Sequence, residues 1–237
     1  MNKQQRSFYD TMYGNEMPEH GKRSLKKRLI QHISTDRIEA AGALVPRGDC
    51  LLDVGCGDGS LLWSLAGKFE HGVGVDITMR PPVWNNDDTQ KNGNVSMHEV
   101  VANIDEGLPF KASSYQVVIC IATLQHVFDP IHCLKEIAQV IRPGGYLVIQ
   151  VPNIVYIKYR WNILFGSFPS ISWRGGWDGG TLHYFTKSSL KELLADQGFR
   201  ICRLSGSGML SAFRSWWPGL LTGDLIVLAQ KPSDNTS

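Results

Sequence analysis

Long apolar runs, a surplus of one charge, paired cysteines and repeats are all missing from this 237-residue chain, and each absence removes a class of function. No apolar stretch reaches the roughly 18 residues that a membrane-crossing helix needs. Met1 to Arg6 is too polar to open a secretory signal, so a cytoplasmic location is expected. Lys and Arg number 24 against 22 Asp and Glu, a formal net charge of +2. That balance argues against a protein built chiefly to neutralise phosphates, and nucleic acid is not the expected partner. The five cysteines, at 50, 56, 120, 133 and 202, contain no C-x-x-C pair. Three of them sit in or beside apolar strands, so reduced, buried thiols are expected. No His, Asp or Glu cluster has metal-ligand spacing, and no metal is expected. What is present, 43% hydrophobic residues, suffices for one sizeable core with a small cap or insertion.

The most informative stretch is Leu51-Leu52-Asp53-Val54-Gly55-Cys56-Gly57-Asp58-Gly59-Ser60, an apolar strand running into an acidic residue and a G-x-G-x-G turn. Glycines at 55, 57 and 59 let the backbone bend sharply and approach a ligand closely. Ser60 to Ala66 then reads as a helix whose N-terminus faces that ligand. A glycine-rich turn alone is weak evidence, because turns use glycine for conformational reasons. A second strand, His71-Gly72-Val73-Gly74-Val75-Asp76, ends in a carboxylate 23 residues after Asp53, the right place to accept from ribose hydroxyls. The third glycine comes one residue earlier than in the dinucleotide fingerprint G-x-G-x-x-G, so a ribose is expected and a pyrophosphate is not.

With these motifs in hand, the chain resembles the class I S-adenosylmethionine-dependent methyltransferases, small-molecule enzymes similar to those of quinone biosynthesis, over roughly residues 50 to 151. The resemblance implies a Rossmann-like, mostly parallel sheet of seven strands with helices on both faces. Its last strand is antiparallel and inserts between the fifth and sixth. It also implies that Gly55, Cys56, Gly57 and Gly59 wrap the methionine part of S-adenosylmethionine, supported by Asp53, while Asp76 takes the ribose hydroxyls and Ile77 touches the adenine. In Asn103-Ile104-Asp105-Glu106-Gly107-Leu108-Pro109-Phe110, which resembles the third family motif, Asn103 stands where an acidic residue usually meets the adenine amino group. Its amide oxygen can still accept, and Ile104 packs on the purine.

Tyr115 to Ile121 is a continuous apolar strand of the kind buried on both faces, and Ile121 and Ala122 at its end join the implied cofactor contacts. Ala122-Thr123-Leu124-Gln125-His126-Val127 is similar to the family's Leu-Glu-His-Val segment, with Gln125 for the usual Glu. Ile131 to Ile141 spaces its apolar residues as a helix, ended by Arg142-Pro143-Gly144-Gly145, and Tyr146 to Val151 is the fifth strand. Thr186 caps a helix to Gln197, Phe199 to Leu204 is the sixth strand and Asp224 to Gln230 the last. In the segment after Asp76, two prolines and a polar tract replace the regular helix of the family.

A single domain over residues 1–237 is expected. It divides into an N-terminal lid and helix (1–48), a cofactor-binding half (49–151), a substrate cap (152–185) and C-terminal strands (186–237). Tyr9 and Tyr13 either close the pocket or anchor the tail on the core. The basic cluster Lys22, Arg23, Lys26, Lys27 and Arg28 reads as a solvated helix face. The cap carries Trp161, Trp173 and Trp177, suited to a hydrophobic or aromatic acceptor, or else to a satellite core. Trp216 and Trp217 either pack under their own loop or form an apolar contact patch.

The implied reaction is in-line transfer of a methyl group to an oxygen, nitrogen or carbon nucleophile of a small acceptor, leaving S-adenosylhomocysteine. His126 and His183 are the candidate bases, because an imidazole titrates in the useful range; His126 alternatively shapes the cofactor pocket through a hydrogen bond. Three other readings stay open. A non-catalytic partner or regulatory protein on this fold would tolerate Asn103 and Gln125. An RNA methyltransferase would carry a Pro-Pro-Tyr-like tetrapeptide after the fourth strand, which is missing. A nicotinamide dehydrogenase would need the longer glycine spacing. The acceptor's identity and the oligomeric state are not written in the sequence.

Overall fold

The computed structural model describes residues 7, 37–78, 95–169, 181–207 and 217–233. Seven strands form one sheet: β1 (Cys50–Val54), β2 (His71–Asp76), β3 (Ser96–Val101), β4 (Tyr115–Ile121), β5 (Ile141–Pro152), β6 (Arg200–Ser207) and β7 (Asp224–Gln230). Their order across the sheet is β3-β2-β1-β4-β5-β7-β6. The first five are parallel, and β7 runs antiparallel between β5 and β6, as the family resemblance implied. Strand order reverses at β1 and β4, and in such sheets the crevice beyond the carboxyl ends of those strands receives ligands.

Alternation along each central strand divides the core into two layers. Leu52, Val54, Val118, Cys120, Leu147, Ile149, Leu225 and Val227 face one side, against Leu134, Ile137, Leu190 and Leu194. Leu51, Val117, Ile119, Val148 and Ile226 face the other, with Ala41, Leu44, Leu61, Leu62 and Leu65. The helices involved are α1 (residues 37–44) and α2 (Ser60–Ser64) on the second face, and α3 (Pro130–Val140) and α5 (Lys187–Asp196) on the first. Truncating one fully buried leucine of these layers, such as Leu134, is expected to cost about 2–5 kcal/mol.

Local chemistry explains the helix boundaries. Asp129 caps α3, its Oδ1 accepting from the N–H groups of Ile131 at 2.9 Å and His132 at 3.0 Å, with Pro130 in the first turn. Thr186 and Ser189 form a reciprocal cap at the start of α5, and Gly198, at φ 79°, follows its end. Several boundaries differ from expectation, among them β6, which runs from Arg200 to Ser207 rather than from Phe199 to Leu204. The helix expected over Ser60 to Ala66 stops at Ser64 and tightens into a 3-10 turn over Ala66–Lys68, a break to which Gly67 contributes. Strand β5 begins at Ile141 rather than Tyr146, so Arg142 to Gly145 lie within the strand. A register shift between Tyr115 and Val117 accommodates them, and a side chain at Gly145 would come within 2.8 Å of the Gln116 carbonyl oxygen.

The insertion after β5 opens with α4 (Ile157–Leu164), which buries none of its own residues, and β7 is preceded by the short α6 (Pro218–Leu221). Among the described residues, no helix is long and apolar enough to cross a membrane.

Candidate functional site

The turn after β1 is stitched to the end of β2. The N–H groups of Gly55 and Cys56 both donate to the Val75 carbonyl, at 2.7 and 3.2 Å, and the Gly57 N–H donates to Asp76 Oδ2 at 2.9 Å. Gly55 sits at φ 78°, and a Cβ on it would fall 2.1 Å from Thr123 Oγ1. Both its left-handed backbone and its contact with the loop after β4 therefore require glycine. Asp76 Oδ1 accepts from the Thr78 N–H at 3.0 Å and the Thr78 hydroxyl at 3.3 Å. A carboxylate offers about four acceptor positions, so Asp76 still has capacity for a ligand hydroxyl.

Asp53, Cys56 and Gly59 do not line the cleft. Asp53 is 2% exposed, and burial, reinforced by the charges of Asp76 and Asp58, pushes its carboxyl up to about 8. Cys56 packs its Sγ against Gly74, where a Cβ would approach to 2.7 Å, which accounts for a glycine inside β2. Burial pushes the Cys56 thiol well up, and the nearby carboxylates Asp53, Asp76 and Glu99 add to it, so it is a neutral packing group.

Just beyond the edge strand β3, Asn103 is buried and its Oδ1 accepts from the Asp105 N–H at 3.1 Å, capping the 3-10 turn Ile104–Glu106. The amide oxygen expected to meet adenine therefore already carries one structural bond. Asp105 Oδ1 accepts from the N–H groups of Phe128 at 2.9 Å and Asp129 at 3.3 Å. That carboxylate ties the β3 edge to the loop after β4.

At the end of β4, Ala122 takes a left-handed conformation at φ 56°, an uncommon state for a residue with a side chain. The chain then turns through Thr123 to His126. Gln125 is 4% exposed and its Nε2 lies 3.2 Å from His126 Nε2. Its backbone carbonyl accepts from the N–H groups of Leu182 at 2.8 Å and His183 at 3.1 Å. His183 Nε2 in turn lies 3.1 Å from the Phe128 carbonyl oxygen. A carbonyl only accepts, so His183 carries its proton on Nε2 and serves to hold this loop.

These edges enclose a cleft of about 430 Å³, within the range of small-molecule sites. Of the residues selected from sequence, the fold brings Gly55, Gly57, Asp76, Ile77, Asn103, Ile104, Ile121, Ala122 and His126 to its walls. His183 does not line it. Neither does Trp161, which is 54% exposed and stacked on Phe165 with ring centroids 5.9 Å apart. Helix α4 turns a different residue inward: Tyr159 lines the cleft, its hydroxyl pushed up to about 12 by burial and by Asp224. Tyr9, Tyr13, Trp173 and Trp177 lie outside the described residues.

Sequence reasoning missed Arg37, Thr78, Thr123, Gln125, Tyr159 and Asp224 as lining residues. Gln125 and Thr123 had a signal, since they flank a strand end within a recognised segment. Arg37 had none beyond its charge. The structure places it in the wall with its Nε buried and without a hydrogen-bond partner among the described residues. Asp224 arrives through register: antiparallel pairing sets it opposite Pro152, at the carboxyl end of β5.

A family model described as a methyltransferase domain matches residues 21–204, well over half of the chain. The chain belongs to this methyltransferase family. The chain is 33% identical over 115 residues to the ubiquinone biosynthesis O-methyltransferase of Cronobacter sakazakii, a match covering 48% of this chain and 46% of that protein. It thus spans about half the length of the curated relatives it matches. Among solved structures it resembles the 1,6-didemethyltoxoflavin-N1-methyltransferase of Burkholderia thailandensis, which was solved with 1,6-didemethyltoxoflavin and S-adenosylhomocysteine bound. The TM-score is 0.63 at 18% identity, over 97% of this chain and 88% of that one. A methyltransferase of Methanosarcina mazei gives a TM-score of 0.57 at 25% identity, over 81% of this chain and 96% of the other. The chain therefore shares the Rossmann-like fold of these structures.

Proposed function

We propose that this protein transfers a methyl group from S-adenosylmethionine to a small acceptor. The observation that carries this reading is one cleft that joins the Gly55–Gly57 turn and the Asp76 carboxylate at one end to Gln125, His126 and Tyr159 at the other. The residues present fit the cofactor. Asp76 retains acceptor capacity for ribose hydroxyls, Ile77 and Ile104 offer apolar walls for a purine, and Asn103 offers an amide edge. Arg37 Nε is a buried donor without a partner among the described residues, and its guanidinium suits the cofactor's carboxylate.

When bound, the cofactor supplies an electrophilic methyl carbon on a sulfonium. An acceptor's nucleophile would take that methyl group while the sulfur kept the electrons of the broken bond, and the nucleophile's proton would leave to His126 or to water. The protein's part is positioning and exclusion of water. His126 is the candidate base, since it alone of the two histidines selected from sequence lines the cleft. The relatives named for ubiquinone biosynthesis support a small-molecule acceptor.

Calorimetric titration with S-adenosylmethionine and S-adenosylhomocysteine, with NAD as comparator, tests this reading. Saturable binding of both sulfur nucleotides and none of NAD is expected. Failure of both to bind overturns it in favour of a partner protein on the same fold.

A further inference from the structure

Tyr159 presents a hydroxyl that the described residues leave unused. The side chain is half-buried in the cleft wall. Its hydroxyl makes no hydrogen bond among the described residues and, unlike Gln125 Oε1 in the same wall, is not sealed from solvent. The ring, by contrast, is held. It meets the buried ring of Tyr156 edge to face, with centroids 5.7 Å apart and an interplanar angle of 84°. The Tyr159 N–H donates to the Tyr156 carbonyl at 2.8 Å, and Arg160 Nε donates to the Val155 carbonyl at 2.9 Å. Just upstream, Asn153 Nδ2 donates to the carbonyls of Gly219 and Thr222 at 3.0 and 2.9 Å, which fastens the start of the insertion to the approach to β7. A donor on a ring clamped in this way is set in place before a ligand arrives.

The order of the strands says which ligand it meets. Asp76 and Asn103, the polar groups expected to hold the cofactor, lie at the ends of β2 and β3, on one side of β4. Helix α4 follows β5 and Asp224 opens β7, on the other side. Tyr159 therefore stands across the cleft from the expected cofactor edges. Resting on the methyl-transfer reading above, we propose that Tyr159 orients the acceptor by donating its hydroxyl proton to a neutral carbonyl oxygen that the acceptor carries apart from the atom to be methylated.

The surroundings favour that group over its alternatives. Burial and the nearby Asp224 push the Tyr159 hydroxyl up to about 12, so it remains a neutral donor at physiological pH. Asp224 is itself fixed, its Oδ1 accepting from Gln150 Nε2 at 2.8 Å and its Oδ2 from Ser207 Oγ at 2.5 Å. The charge that keeps Tyr159 protonated also disfavours a carboxylate in the carbonyl's place. An alkyl group there would cover the hydroxyl without pairing it, and a buried donor left unpaired is what lets polar sites discriminate.

The test is calorimetric titration of the full chain, saturated with S-adenosylhomocysteine, with 4-hydroxyacetophenone, 4-ethylphenol and 4-hydroxybenzoate as probes of one size. In the wild type the ketone should bind about fivefold or more tightly than either of the others, although apolar burial alone would favour the ethyl compound. Tyr159→Phe removes one oxygen and keeps the ring on Tyr156. In this variant the preference for the ketone over 4-ethylphenol should vanish or reverse, at unchanged S-adenosylhomocysteine affinity. Trp161→Phe, on the same helix but outside the cleft wall, should keep it. Equal wild-type binding of ketone and alkyl phenol, tightest binding of the carboxylate, no binding of any probe, or a preference that survives in Tyr159→Phe overturns the proposal. Weaker S-adenosylhomocysteine binding in Tyr159→Phe also overturns it and assigns the hydroxyl to the cofactor. Failure of S-adenosylhomocysteine to bind the wild type strikes the methyl-transfer reading instead, and is seen before any probe is added.

Discussion

The Gly57 N–H and Asp76 Oδ2 meet at 2.9 Å, so the carboxylate expected to hold the ribose also fastens the glycine turn expected to hold the methionine part of the cofactor. One side chain thus does two things. Asp76→Ala should weaken S-adenosylhomocysteine binding about 10- to 100-fold, through loss of both the ligand contact and the turn geometry. Asp76→Asn should fall between wild type and Ala, because an amide keeps only one accepting oxygen. Calorimetry on the three proteins checks the order, and equal affinities would remove Asp76 from the site.

Arg37 can be separated from the rest of the cofactor site by choice of ligand. Arg37→Met should weaken S-adenosylhomocysteine about tenfold or more, the scale of one charge-assisted bond. It should leave 5′-methylthioadenosine, which lacks the amino-acid carboxylate, nearly unaffected. Parallel loss for both ligands would show that Arg37 acts on the fold of α1 instead.

The two histidines should behave differently. His126→Ala should reduce turnover with little change in S-adenosylhomocysteine affinity, as expected of a group that acts on the acceptor. His183→Ala loses the bond to the Phe128 carbonyl and should cost about 1 kcal/mol, a fall of roughly 2–4 °C in Tm. Turnover and thermal melts of both variants decide this, and a fully active His126→Ala would leave catalysis to positioning alone.

Asp53 should make stability depend on pH. Its carboxyl is pushed up to about 8 in the folded protein, against roughly 4 in the unfolded chain, so between those values the native state holds a proton that the unfolded state has lost. The resulting stabilisation is complete below about pH 4 and is lost progressively as pH rises towards 8. Asp53→Asn removes this slope and should stabilise the protein at pH 8 by up to a few kcal/mol. Thermal melts from pH 5 to pH 9 measure it. Some slope should remain from Glu99, whose carboxyl burial also pushes up. An unchanged slope in Asp53→Asn would show that Asp53 is not its source.

Local pattern was enough for much of this protein. Apolar strands ending in Asp53 and Asp76, glycines at 55 and 57, the breaker-bounded α3 and the Thr186 cap all depend on contiguous residues, whose conformation and burial leave a mark in the sequence itself. That is why the expected β2, β4 and β7 coincide with the observed ones. Where the local signal was shared between two outcomes, it misled: Arg142 to Gly145 carries helix breakers, yet a bulged pairing with β4 absorbs them into β5. Tyr159 rather than the expected Trp161 lines the cleft for a similar reason. Composition marks α4 as aromatic, but only its docking decides which ring turns inward.

Which distant residues share the cleft was decided by tertiary structure alone. Arg37, Gln125, Tyr159 and Asp224 come from an N-terminal helix, a strand end, an insertion helix and the last strand. No spacing between them carries a signal, because what joins them is long-range strand pairing. Sequence determined that this chain makes a parallel sheet with a glycine turn and two placed carboxylates at its carboxyl edge. The antiparallel entry of β7 beside β5, with Asp224 opposite Pro152, decided which distant side chains share that edge. Backbone hydrogen bonds between segments far apart in the chain, rather than any local preference, set that register.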